Sequence, residues 1–182
     1  DKFRVNAMFS YGIWEYKGNA TVNAYLQADN TPIPEFTGTT VYIDKVKVGD
    51  AAQITASLGA SYEVLTRVTL DANYNFNDKL YAGLSPVDFT SPNNKGALEL
   101  PSYGILDAGF SYKMLLGKDK DKSMNFRLNV NNVFDYTYIA EAKTNIFAAD
   151  VPTVSTYKGI ATTNQVYFGF GRTWNFALRY DF

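Results

Sequence analysis

Two residue types are missing altogether from these 182 residues: cysteine and histidine. Without cysteine there are no disulfides and no thiolate metal sites, and compartment cannot be read from cysteine usage. Without histidine, Ser-His-Asp catalysis, a histidine general base and His-ligated zinc are all excluded. Neither sign of charge is in excess. The 17 Lys and Arg stand against 18 Asp and Glu, a formal net charge of -1, so no attraction to nucleic acid is implied. Nowhere does an apolar run approach the roughly 20 residues of a membrane helix. No segment carries an apolar stripe at the helical period. No signal peptide opens the chain, because Asp1-Lys-Phe-Arg-Val runs directly into an alternating pattern. The sequence therefore reads as processed, or as a piece of something longer.

What is abundant is aromatic. Tyr (14) and Phe (13) dominate an aromatic content of 16%, a bias that suits β-structure and membrane-interface belts. These rings fall in register with a period of two. In the last ten residues, Trp174, Phe176, Leu178, Tyr180 and Phe182 occupy one face of an extended strand. Thr173, Asn175, Ala177, Arg179 and Asp181 occupy the other. A strand with lipid on one side and a water-filled lumen on the other needs this pattern.

The same alternation recurs along the chain and predicts about seven strands. Their apolar faces are Phe3 to Ile13; Val22, Ala24 and Leu26; Ile54 to Val64; Val68 to Phe76; Leu106 to Met114; Met124 to Val130; and the terminal strand. The fold class is all-β. Short turns are expected at Lys17-Gly18-Asn19, at Leu65-Thr66 and at Gly117 to Lys122. Long connections are expected at about 29–50, 77–101 and 136–163. Repeated unstructured loops of that length are uncommon in compact soluble domains, whereas outer-membrane barrels combine short periplasmic turns with long extracellular loops. Asp71, Asp107, Lys113, Arg127, Arg179 and Asp181 then line a hydrated lumen, where charge costs little.

At this point the residues resemble a known family. Gly169-Phe-Gly171 followed by Arg172 to Phe182 resembles the closing strand of TonB-dependent outer-membrane receptors. Asn129, Asn132, Phe134, Asp135 and Tyr138 follow their N-x-x-N-x-F-D-x-x-Y pattern. Val48 to Thr55, Lys79 to Ala82 and Leu100 to Asp107 are similar to segments of such receptors from Bacteroidetes-type bacteria. The resemblance implies that residues 1–182 are the C-terminal portion of an antiparallel transmembrane β-barrel of about 22 strands, with the plug domain upstream and absent from this chain. An odd strand count would start the chain on the outer side and end it on the periplasmic side. The alternative counts Thr39 to Lys47 as an eighth strand, giving a small self-closed barrel with a structural or adhesive role.

The implied function is energy-coupled uptake of a large ligand of the siderophore, haem, oligosaccharide or peptide class across the bacterial outer membrane. The implied partners are outer-membrane lipid, the rest of the barrel and its plug, a TonB-type energy-coupling complex, the barrel-assembly machinery and a surface lipoprotein. Loop aromatics Phe36, Tyr42, Phe89, Tyr136, Tyr138, Phe147 and Tyr157 offer ligand contacts. No catalytic residue and no cofactor is expected, although Asp44, Asp50, Asp78 and Asp88 could supply oxygen ligands to Ca²⁺ in the extracellular loops. In the family, the alternating strand ending in Phe is the signal read during barrel assembly, and Trp174, Phe176, Leu178, Tyr180 and Phe182 occupy those positions. Deleting Phe182 should therefore lower the amount of assembled protein at the cell surface, measured by antibody labelling of intact cells. Unchanged surface levels would remove the signal role.

Overall fold

A computed structural model describes residues 2–182, and the backbone alone at Phe36. Its main element is one antiparallel sheet of six strands that neighbour one another in chain order. They are β1 (Phe3–Tyr11), β2 (Ile54–Leu65), β3 (Val68–Asp78), β4 (Tyr103–Leu116), β5 (Lys122–Asn131) and β6 (Thr173–Asp181). The chain is all-β, with three short 3-10 turns and no α-helix among the described residues. β1 and β6 are the two edges, and the sheet does not close on itself.

Register carries the alternation from strand to strand. Phe9 pairs with Ala56 and Ala56 with Phe76, then Leu58 pairs with Tyr74 and Tyr74 with Leu106. Further along, Phe110 lies opposite Leu128, and Leu128 opposite Phe176. All of these sit on one face. The other face carries Ser57 opposite Asn75, Asp71 opposite Gly109, and Asn129 opposite Asn175. The paired positions therefore form one apolar and one polar surface, each continuous across six strands.

The apolar face has no second layer over it. Phe3, Phe9, Leu58, Tyr74, Phe110, Trp174 and Phe176 are all exposed. Transfer of such a side chain from water to apolar surroundings is worth about 1.5–3 kcal/mol, so water is a poor solvent for this face and a bilayer a good one. The largest fully buried side chains, Phe89 and Val41, lie in the long connections instead.

The polar face is held by a lateral ladder. Arg127 on β5 reaches across Gly109 on β4 and grips Asp71 on β3 with both terminal nitrogens, Nη2 at 2.8 Å from Oδ1. A Cβ on Gly109 would overlap that guanidinium. Arg127 Nε also donates to Asn129 Oδ1 at 2.6 Å, and Asn129 donates to Asn175 on β6 at 2.9 Å. Three strands are thereby linked through side chains, across the intervening β4.

Several expectations from sequence are corrected. Six strands form the wall where about seven were expected, because the segment around Val22 does not join it. Only Ala20–Val22 is extended there, and it pairs with Thr39–Val41 in a separate ribbon. A membrane-crossing strand needs about 9–11 residues. Here a turn intervenes, with Asn30 in the left-handed region and Thr31 N donating to Asp29 Oδ1 at 3.0 Å. The same ribbon removes Thr39 to Lys47 as a wall strand, and with it the eight-stranded count. Lys17-Gly18-Asn19 consequently lies inside one long connection, residues 12–53, and is not an end-of-sheet turn.

With six strands, the ends of the sheet sort cleanly. Thr66-Arg67 and Gly117 to Asp121 turn at one end, where Phe3 and Asp181 also lie. Residues 12–53, 79–102 and 132–172 all connect at the other. The expected start on the outer side is thus replaced by a start at the short-turn end. The face assignment makes a test. Ala72→Arg, mid-strand on the apolar face, should destabilise the protein in phospholipid vesicles by about 2–4 kcal/mol. Thr69→Arg, on the polar face of the same strand, should change it by only about 0.5 kcal/mol. Urea unfolding from vesicles measures both.

Candidate functional site

The three long connections are long but not unstructured. They pack together into a cap over one end of the sheet. One apolar cluster joins Leu80, Ala82, Leu98 and Leu100 of the middle connection to Ile139, Ala142 and Ile160 of the last. A second joins Phe89 of the middle connection to Val41 and Val46 of the first. Backbone hydrogen bonds follow the same seams, from Tyr42 N to Phe89 O at 2.8 Å and from Gly83 N to Ala142 O at 2.8 Å. Asn164, buried in the last connection, donates to Ile146 O and Ala161 O and accepts from Ile146 N and Thr144 Oγ1. Each buried polar atom thus has the partner that burial demands.

The cap is tied to the wall by the Asn-Asn-Val-Phe-Asp run at the end of β5. Asn132 is 3% exposed and sits at a positive φ of 50°, a conformation asparagine tolerates better than most residues. Its side chain donates to Tyr136 O and to Phe170 O and accepts from Tyr136 N. Asp135, also at positive φ, accepts from Arg172 N at 2.7 Å. The first and last residues of the connection are therefore clamped together. The motif read from sequence is a loop-closing device, built from residues that adopt left-handed backbone and hydrogen-bond locally.

Below that clamp, the polar face and the last connection enclose a depression of about 550 Å³. Asn77, Asp107 and Asn131 of the wall line it, with Tyr103, Tyr138 and Phe170 around the rim. Tyr103 and Tyr138 stack with ring centres 4.2 Å apart and planes at 29°. Tyr138 lies so close over Gly169 that any side chain there would collide with the ring. Asp107 accepts from Asn132 N at 2.9 Å, which joins the depression to the clamp. At the short-turn end of the same face, a second depression of about 650 Å³ is lined by Glu63, Arg67, Lys113, Arg127 and Arg179. Arg127 is committed to Asp71 there and Arg179 to Asp181.

The aromatic residues expected to meet ligand are distributed unevenly. Tyr136 and Tyr157 flank the Lys158 ammonium, whose nitrogen lies 4.0 Å and 5.5 Å from the two ring centres. Its 2.8 Å contact with the Tyr136 hydroxyl raises the Lys158 pKa above the usual lysine value. Tyr138 is in the same connection, at the depression. Phe147 is half-buried against the first cluster, with Lys95 Nζ 5.6 Å from its ring centre. Tyr42 is half-buried, and its backbone holds the middle connection.

Phe89 is a correction. At 1% exposure it is the centre of the second cluster and has no ring surface to offer a ligand. The side chain of Phe36 lies outside the described residues. Tyr103 and Phe170 were missed from sequence. For Tyr103 the signal was positional: it opposes Asn77 and so falls on the polar face, three residues ahead of Leu106, where the apolar alternation was read.

The carboxylates Asp44, Asp50, Asp78 and Asp88 are not drawn together, and among the described residues no three acidic side chains gather as a metal site would need. Asp44 accepts from Gly18 N at 2.7 Å. Burial raises the Asp88 carboxyl above its usual value. Trp174, Phe176, Leu178, Tyr180 and Phe182 all stand exposed on the apolar face, at the free edge of the sheet.

No family model matches the chain, and neither does any curated protein. Among solved structures, the crystal structure of the siderophore receptor PiuA from Acinetobacter baumannii resembles it with a TM-score of 0.56 at 19% sequence identity. The match covers 98% of this chain and 19% of that receptor, so the chain spans about a fifth of its length. This is a likeness of fold, extending over wall and cap together. Within the cap, Asn132→Ala should cost about 1–3 kcal/mol by leaving the Tyr136 N–H and two carbonyls without their partner. Hydrogen exchange should quicken across residues 132–172 while β3 and β4 keep their protection.

Proposed function

We propose that this chain is the C-terminal part of the barrel of a TonB-dependent outer-membrane transporter, contributing wall and extracellular cap for energy-coupled uptake of a large ligand. The observation that carries this reading is the division of one sheet into a continuous apolar and a continuous polar face, with every long connection packed at one end. Lipid meets the first face and a hydrated lumen the second. The fold likeness to a siderophore receptor supports it.

The free edges of β1 and β6 carry unpaired backbone groups, which a bilayer does not tolerate. A barrel of about 22 strands supplies their neighbours in the family. In this reading the ligand first meets the cap, through Tyr136, Tyr138 and Tyr157, and then the depression beneath it. Its class is that of siderophores, haem, oligosaccharides or peptides. An upstream plug rearranges when a TonB-type complex pulls on it, and the chain itself performs no bond chemistry. The barrel-assembly machinery reads β6, where a pairing strand could add to the exposed edge while alternate side chains give recognition. A surface lipoprotein would sit over the cap.

The lack of cysteine makes orientation testable, because a thiol introduced here is the only one in these 182 residues. Lys45→Cys, in the cap, should react with a membrane-impermeant maleimide on intact cells. Lys120→Cys, in the short turn, should react only after the outer membrane is breached. The opposite pattern, or equal labelling, would overturn the reading. Loss of uptake of one ligand class when the inner membrane is de-energised would then identify the cargo.

A further inference from the structure

The apolar face is not uniform. Small residues Ala60, Ala72 and Ala108 face one another along the middle of the sheet. Towards β6, large side chains stand up around a groove of about 340 Å³ whose surface is wholly apolar. Its walls are Phe110, Tyr112, Met114, Phe126, Leu128 and Phe176. The Tyr112 and Phe126 rings lie 6.1 Å apart at 16°, and Phe126 and Phe176 lie 6.4 Å apart at 38°.

A cation stands at the foot of this groove. Met114 pairs with Met124, and the next row on the same face pairs Leu116 with Lys122. At a rise of about 3.4 Å per residue, Lys122 lies about 7 Å beyond the Met114 row. It is exposed, and it is the one charged side chain in these rows of the apolar face. Lys118 and Lys120 are exposed on the adjoining turn, where Asp119 and Asp121 offset two of the three positive charges. Among the described residues none of the three lysines is in an ion pair. A lysine at the end of an apolar strand face snorkels to the headgroup level, its stem in hydrocarbon and its ammonium among phosphates.

We propose that this groove and Lys122 form a site for one anionic phospholipid of the leaflet on the short-turn side, with an acyl chain in the groove and the phosphate on Lys122. The proposal rests on the membrane-spanning reading above. Charge complementarity selects the occupant. A zwitterionic phospholipid would fill the groove equally well, but its own ammonium competes with the lysine for the phosphate. The turn lysines add long-range attraction to an anionic headgroup, screened by salt.

The test reconstitutes the whole barrel protein to which this chain belongs, not the isolated chain, in nanodiscs of equal phosphatidylglycerol and phosphatidylethanolamine and reads the lipids it retains by native mass spectrometry. Phosphatidylglycerol should be retained in excess by on the order of fivefold, the effect expected of one lysine at a membrane surface. The excess should vanish in the Lys118→Gln, Lys120→Gln, Lys122→Gln variant, and persist in Lys45→Gln, a cap control at the other end of the sheet. Met114→Trp should fill the groove and reduce retention of either lipid. Raising the salt on the unaltered protein should abolish the preference without any variant. Insertion with no preference, or a preference that the lysine variant or salt leaves intact, would overturn the site alone. Failure to enter the bilayer would overturn the transporter reading and this site with it.

Discussion

In-register pairing of six antiparallel strands is the constraint from which the rest of this molecule follows. It satisfies the backbone N–H and C=O groups between neighbouring strands, and it also aligns the alternating side chains of every strand. The two tasks are coupled, because a slip by one residue would turn a strand's whole apolar set to the wrong side. Phe9, Ala56 and Phe76 stay in one row, and so do Phe110, Leu128 and Phe176, since each pairing keeps the same parity. The Arg127–Asp71 pair strengthens that register from the polar side, and glycine at position 109 leaves the room for it.

The energetic arrangement is the reverse of a soluble domain. Hydrophobic burial against protein is concentrated in the cap, in two clusters built from connections, while the sheet leaves its aromatics exposed. Such an arrangement is stable when lipid replaces the missing second layer. The cap then has a separate task, to hold long connections in one shape at one end of the polar face. It does so with hydrophobic clusters and with buried asparagines, Asn132 and Asn164, each saturated with hydrogen bonds. Side chains at the depression on the polar face, such as Tyr103 and Asn77, are positioned by strand parity, and Tyr138 by the clamp above them.

The wall was legible in the sequence wherever alternation ran long enough. β1 to β6 were readable because eight or more residues in each repeat the period without a competing signal. The short stretch at Val22, Ala24 and Leu26 carried the same period but too few residues to cross a bilayer, and its partner turned out to be Thr39–Val41. The Asn-Asn-Val-Phe-Asp run was visible as a pattern, but its work as a clamp was not, because Phe170 and Arg172 are distant in sequence. Phe89 looked like any loop aromatic. Only packing against Val41 and Val46 makes it interior.

The sequence by itself determined the strand character, the division into two faces, and the alternation of short and long connections. These are local properties, written into the period of two and into turn residues such as Gly117. The tertiary structure alone decided how many strands pair into the wall, which end each connection serves, and which aromatics are core and which are surface. Those outcomes depend on contacts between segments dozens of residues apart, where partner choice is settled by how well two surfaces pack and leaves no local periodic trace.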